Sequence, residues 1–399
     1  MTINDRPSMP GDLGRRRVLQ LGAAGVASLL GGAGVLSACG SDAKTSGITS
    51  GGTAGGPGTA TASSGGGSDK PFKVGFAYVG PISDNGWTFT HDEGRKAVEA
   101  AYPNVKTVYI ESVPFGPEAT QTFNKLAEEN DFVIVCSEYA DLLTPTVEKF
   151  PKKFFLEADG HTIGKYKNLN SYYVAHHKVA YIMGVAAGLT TKTGKLGYVG
   201  AFPTSTVFND TNCFLMGART VRPDCTMNVV MINSFFDPPK ATQAASALVD
   251  GGADVLFDVM DDTSVLQVAE KRNIHSAIWN RDNRSFGPNA FISAIDLNWK
   301  QYYIDQVKAA MDGTIKGLDD ITILDLGNGV DVAKWGDKVT PEAQKAGDAA
   351  KAKVQGGFEP YTGPIKDAGG TERVPAGKSL NASEVFRVDF SIEGVTGVK

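Results

Sequence analysis

The chain has 399 residues, with 39 Lys and Arg against 44 Asp and Glu, a formal net charge of −5, 5 His and 4 Cys. An acidic balance with no Lys/Arg run beyond residues 15–17 argues against nucleic acid or an anionic membrane as the working partner. The Cys residues lack a metal-ligand spacing such as C-x₂-C and His is scarce, which argues against a metal site; no motif calls for a cofactor.

The first 38 residues read as an export signal. Arg15, Arg16 and Arg17 precede an apolar stretch at 18–35 that is interrupted by Gly22, Gly25, Gly31, Gly32 and Gly34. That stretch is shorter than the roughly 20 solidly apolar residues of a membrane span. The order Arg15-Arg16-Arg17-Val18-Leu19 resembles a twin-arginine address. Leu36-Ser37-Ala38-Cys39 resembles a lipobox, which implies a lipidated Cys39 at the new amino terminus. Removing residues 1–38, which hold four Arg and two Asp, takes the net charge to −7. Residues 39–70 are almost all Gly, Ser, Thr and Ala and bury too little apolar surface to fold. They form a tether reaching roughly 30 Å. The body is therefore expected on the extracytoplasmic face of the cell membrane.

From residue 71 onward, apolar runs alternate with segments of helical period. Strands are predicted at 73–78, 105–110, 132–136 and 153–156, with helices at 91–102, 117–129 and 142–150 between them. A second cycle places helices at 179–189, 208–221, 241–249, 265–272 and 299–311. Its strands are at 196–199, 227–232, 255–257, 275–279 and 291–295. Pro117 suits a first helical position, and Asp237-Pro238 reads as an N-cap followed by proline. A last helix at 341–354 has Thr340 as its cap. Strands alternating with helices predict an α/β chain of two doubly wound, Rossmann-like domains with parallel sheets. The expected lobes are 71–175 with 297–330, and 176–296, with 331–399 as an extension on both. In an oxidising compartment Cys213 and Cys225 are available to pair, leaving Cys136 buried in an apolar strand.

Ligands of open parallel sheets bind beyond the carboxyl ends of the strands, so two such lobes place a site in the cleft between them. The loops there carry Trp87, Phe89, Tyr139, Phe202, Phe208, Phe235 and Phe236. They also carry Asp84, Asn85, Glu138, Asn209, Asp258, Asp261, Asp262, Asn280 and Asp282. Aromatic faces with acceptors and amides suit a flat, nitrogen-rich ring, and a stacked base is worth about 1–3 kcal/mol. The candidate binding residues are Asp84, Asn85, Trp87, Tyr139, Phe202, Phe208, Phe235, Asp261 and Asp282. For any one aromatic, plugging the cleft floor or a helix end is the competing role.

Residues 74–87, ending Ser83-Asp84-Asn85-Gly86-Trp87, resemble the opening of the basic membrane lipoprotein family. The likeness continues at Gly184 to Gly188, Gly194 to Gly200, Met216-Gly217-Ala218-Arg219, Asp237-Pro238 and Gly251 to Asp254. It reaches the tail at Tyr361 to Asp367 and Val374 to Gly377. The resemblance implies a type I periplasmic-binding fold and a substrate-binding protein of an ABC importer, in the branch that binds purines. It implies that Asp84 and Asn85 meet the base edge, with an aromatic near Phe202, Phe235 or Phe236 in place of a tryptophan, and an acidic residue at Asp282. A ribose-binding lysine is replaced by Ala294 or Asp296, which favours a free base such as adenine over a nucleoside.

The expected function is delivery of a purine-like solute to an ABC permease by a monomeric, non-catalytic binding protein that closes around its ligand. A ligand-sensing lipoprotein is the alternative that shares the same cleft. A nucleoside hydrolase using Asp258, Asp261 and Asp262 on a metal is the enzymatic alternative; no nucleophile elbow, H-E-x-x-H or phosphate-binding loop supports it.

Overall fold

The computed structural model describes residues 70–398, so the export signal, Cys39 and most of the tether lie outside the described residues. Residues from Pro71 onward form one compact unit. Its buried core runs from Val74 to Val395, so the unit carries all it needs to fold alone.

Two parallel sheets repeat one strand order. The first contains β1 (Phe72–Ala77), β2 (Val105–Ile110), β3 (Phe132–Val135), β4 (Phe154–Ala158), β5 (Leu169–Val174) and the later β11 (Thr322–Leu324). Their spatial order is β11-β5-β4-β3-β1-β2, and every pairing is parallel. The second contains β6 (Lys195–Gly200), β7 (Thr226–Met231), β8 (Val255–Asp258), β9 (His275–Ile278) and β10 (Phe291–Leu297). These run β10-β9-β8-β6-β7, flanked by antiparallel β12 (Val330–Val332) and parallel β15 (Val395–Thr396). Both sheets therefore have the 2-1-3-4-5 order. It reverses direction between β1 and β3 in the first sheet and between β6 and β8 in the second, which makes a crevice at each switch point.

The helices of the first cycle are α1 (Trp87–Ala101), α2 (Pro117–Glu129) and the short α3 (Thr144–Lys149). Helix α1 begins four residues before the predicted start. The Asp84 carboxylate accepts from the backbone N–H groups of Gly86, Thr88 and Phe89 at 2.8, 2.9 and 3.0 Å, so it satisfies the donors of the first turn. Helix α4 (His176–Thr190) is apolar all round and buried from His176 through Gly188 but for Lys178. A helix of that kind belongs in the interior. It lies against α5 (Ser205–Arg219) and α9 (Pro341–Gln355). Helices α6 (Pro238–Asp250), α7 (Ser264–Arg272) and α8 (Lys300–Met311) complete the layers. The caps foreseen for α6 and α9 are present: Asp237 accepts from Lys240 N, and Thr340 from Ala343 N.

Strand β5 was not predicted as a strand. Asn170 and Ser171 interrupt its apolar pattern, and both are buried. Asn170 uses its amide to hold the returning chain, donating to Lys316 O and accepting from Leu318 N. The tail supplies β15 as an edge strand and is fastened by buried Asn212, which donates to Tyr361 Oη and Phe390 O and accepts from Ile392 N. The pairing of Cys213 with Cys225 is corrected: both are free, buried thiols. Cys213 sits inside α5 facing the tail's Tyr361, while Cys225 lies in the turn leading to β7. Cys136, at the end of β3, is also free and buried.

Candidate ligand-binding cleft

The loops that follow β1, β8 and β9 meet at the two switch points. Asp84 is 6% exposed, and both its oxygens serve the α1 amino terminus. Burial raises its pKa above the ordinary carboxylate value, and the backbone donors pull it partly back. Asn85 adopts a left-handed backbone (φ 59°), leaving its side chain exposed and its carbonyl aimed across the cleft. That carbonyl accepts from Asn283 Nδ2 of the second lobe at 3.1 Å. Gly86 lies so close to the second lobe that a Cβ there would come within 2.9 Å of Asp261 Cα.

Asp261 stands at the centre of this contact. Its carboxylate accepts from Trp87 N at 3.3 Å and from Asn280 Nδ2 at 3.1 Å. Burial, followed by the nearby Asp84 carboxyl, pushes Asp261 up to about 8. A carboxyl that is protonated near neutrality can donate and accept at once, which matches the alternating donors and acceptors of a heteroaromatic edge. Asn280, also in a left-handed conformation (φ 75°), keeps its buried Oδ1 without a protein donor. Among the described residues Thr204 Oγ1 and Asp262 Oδ2 are likewise buried without partners. Two further contacts span the lobes: the Arg281 guanidinium lies 4.2 Å from the Phe89 ring centroid, and Tyr173 Oη meets Thr206 Oγ1 at 2.9 Å. The two lobes thus touch across the cleft.

The aromatic candidates divide. Phe202 and Phe235 meet edge-to-face at 5.6 Å, with Phe235 exposed at the rim, and the Phe235 carbonyl accepts from Asp261 N. Phe208 is half-buried in the first turn of α5. Trp87 is held from below: its Nε1 donates to Cys136 O at 2.6 Å, and its ring meets His91 edge-on at 4.5 Å and Trp299 at 5.5 Å. Tyr139 is not brought to the others. It is buried in a satellite core with Phe123, and its hydroxyl donates to Val113 O. Asp282 is engaged by Arg284, which donates to both its oxygens. The acidic trio after β8 is committed to separate donors, Asp258 accepting from Met260 N, Asp262 from Ser264 N and Asp261 from Trp87 N, and among the described residues no group of His, Cys, Asp and Glu is placed to hold a metal ion.

Sequence reasoning missed several participants. Asn280 and Arg281 lie in the loop after β9, where the sequence pointed to Asp282 instead. Tyr173 was hidden in the unrecognised β5. Phe386 comes from the tail, where it stacks on His161 at 4.6 Å and meets Tyr173 at 5.7 Å. Asp210 is a fully buried carboxylate beneath the second lobe's side of the cleft. It receives Tyr198 Oη, Trp279 Nε1 and pairs with His176 Nδ1. Only its position on α5, facing inward, could have signalled it.

Residues 72–332 match the model of the Bmp family, described as ABC transporter substrate-binding protein PnrA-like. The chain belongs to the Bmp family. This Bmp protein is 33% identical to a purine-binding protein of Brucella abortus over 342 residues, 82% of the chain and 93% of that protein. A Haloferax volcanii protein named provisionally as an ABC transporter glucose-binding protein is 30% identical over 60% of the chain and 61% of its own length. A nucleoside-binding protein of Lactococcus lactis is 27% identical over 34% of the chain and 39% of its length. Among solved structures, a solute-binding protein of an ABC transporter from Conexibacter woesei superposes with a TM-score of 0.59 at 18% identity. It covers 72% of the Bmp protein and 98% of that chain. One from Aeropyrum pernix gives 0.58 at 16% identity, covering 72% and 86%. The fold is that of a type I periplasmic-binding protein, as the resemblance implied. The family works outside the cytoplasm. Among the described residues no helix is long and apolar enough to cross a membrane.

Proposed function

We propose that this Bmp protein is a lipid-anchored, monomeric solute-binding protein that captures a purine base, adenine-like, and presents it to an ABC permease without catalysing a reaction. Its lobes, 71–175 with 297–330 and 176–296, close on the base. The observation that carries the reading is the meeting of Asp261 and Asn280 with the amino terminus of α1, beside Trp87 and the Phe202–Phe235 pair. This offers a protonatable carboxyl and a free amide oxygen to a ring edge, with aromatic surface for its face. The similarity to the Brucella purine-binding protein supports the same ligand class. Asp84 and Asn85 act by shaping the loop that the base meets, and Asp282 by fixing Arg284.

Titration calorimetry should show adenine binding at micromolar concentration or tighter, and neither ribose nor glucose giving heat. Selective binding of glucose would overturn the ligand while leaving the fold untouched. Phe202→Ala should weaken adenine by about 1–3 kcal/mol if its ring stacks on the base. For the anchor, Cys39→Ala should release the body into the medium or leave an uncleaved precursor. Membrane association of that variant that persists in high salt would sink the lipidation reading, whatever calorimetry shows.

A further inference from the structure

A depression of about 730 Å³ lies at the pole of the first lobe opposite the cleft. It is formed at the amino-terminal ends of the strands: Phe72 begins β1, Phe154 begins β4 and Asn168 immediately precedes β5. Lys152, Lys153, Lys167 and Lys316 line it together with Phe72 and Phe154. These lysines are scattered over more than 160 residues of chain, so no basic run announces them. Lys152 and Lys316 form no ion pair among the described residues. Lys167 pairs with Asp319 at 3.2 Å, but with side chains 81% and 91% exposed, a geometry in which a pair contributes little. Lys153 donates to Asn130 O at 2.7 Å and lies 3.9 Å from Asp131, the one carboxylate in the lining.

We propose that this lysine-rich pole is a docking surface for an anionic phospholipid bilayer. Three observations favour a bilayer over a free anion. The depression is broad, and its cations stand at the rim of a partly apolar floor made by Phe72, Phe154 and Ile315, an arrangement that suits phosphate headgroups above a glycerol and acyl region. Among the described residues its lining lysines are exposed or half-buried, whereas a small-anion site would hold a buried charged side chain. The 69 residues that precede the described structure join the body beside this surface, one residue before Pro71, so the tether delivers the basic pole first. On an exported chain whose net charge is −7, the patch also orients the molecule, and it revises the expectation from overall charge against an anionic membrane. The inference rests on the membrane location proposed above but not on lipidation.

The test uses the body from Pro71, which lacks Cys39, so failure here is separate from failure of the anchor. Cosedimentation with vesicles of phosphatidylglycerol and phosphatidylcholine in equal parts should exceed binding to pure phosphatidylcholine at least ten-fold at low salt. It should fall steeply as sodium chloride is raised to about 0.3 M, where screening shortens to a few ångströms. The combined variant Lys152→Gln, Lys153→Gln, Lys167→Gln and Lys316→Gln should lose most of this binding, since each lysine near a charged surface is worth about five-fold. Its melting temperature and adenine affinity should stay at the level of the parent. Equal binding to neutral vesicles, or an unaffected variant, overturns the proposal. So does full competition by millimolar inorganic phosphate, which would mark a pocket for small anions instead.

Discussion

At the scale of single residues, the cleft is built around carboxyls with different duties. Asp84 is spent on the α1 amino terminus, where three backbone donors reach it. Asp261 has one backbone donor and one amide, and burial with Asp84 nearby pushes it up to about 8. The ordinary value is about 3.9, so between about pH 4 and 8 the folded, closed protein holds a proton that the unfolded chain has lost. The folded state binds more protons in that window, so this contribution to stability is complete at low pH and declines as pH rises through it. Asp261→Asn keeps the shape and removes the titration. The variant should gain on the parent as pH rises from 5 to 8, by at most about 1.4 kcal/mol per pH unit. Unfolding curves at several pH values measure the gap. A gap that does not change with pH would show that the carboxyl is solvated in the folded protein. Glu157, which burial pushes up to about 7, is present in both proteins and cancels in the comparison.

At the scale of elements, the family-like motifs at Gly184 and Gly217 explain a helix crossing rather than a ligand contact. A Cβ at Gly184 would lie 2.1 Å from Phe214 O, and one at Gly217 would lie 2.1 Å from Tyr181 O. Helices α4 and α5 therefore touch backbone to backbone, which only glycine permits at these points. Gly184→Ala should force the helices apart and cost about 1–3 kcal/mol, read as a lower urea midpoint. The protein that remains folded should bind adenine as before, because neither glycine reaches the cleft. An unchanged midpoint would mean that the crossing can relax without loss. The same pair of helices carries the tail: α9 lies on α4, and Asn212 of α5 fastens residues 361–392 through three hydrogen bonds.

At the scale of the molecule, the chain passes between the sheets three times, after β5, after β10 and after β11. Several crossovers acting together restrict relative motion to opening and closing of the cleft. The lobes here touch through Trp87 and Asp261, Asn85 and Asn283, and Phe89 and Arg281, which describes a closed form. Small-angle scattering of the adenine-saturated protein should match this closed arrangement, and the radius of gyration should grow on removal of the ligand. A larger radius with ligand than without it would contradict closure.

Read alone, the sequence determined the alternation of elements, because a parallel strand covered on both faces must be a continuous apolar run. Phe132–Val135 is buried throughout, and Val255–Asp258 is an apolar run closed by a buried carboxylate. It also determined the helix starts that local chemistry encodes, such as Asp237-Pro238 and Thr340. The sites where segments converge were decided only by tertiary structure. Asn170 and Ser171 made β5 look polar, although the side chain of Asn170 is satisfied about 150 residues away and Ser171 sits buried in the ladder opposite Glu157 of β4. Asp84 read as a ligand group, yet its oxygens are used within five residues. Tyr139 read as a cleft aromatic, yet its loop turns it into a satellite core. Cys213 and Cys225 are close in sequence, but one faces inward from a helix and the other closes a turn. The four lysines of the basic pole are neighbours only after folding. A local pattern reports how a segment meets water and its own backbone; which distant side chains share a surface depends on the crossovers, and those leave no periodic trace in the chain.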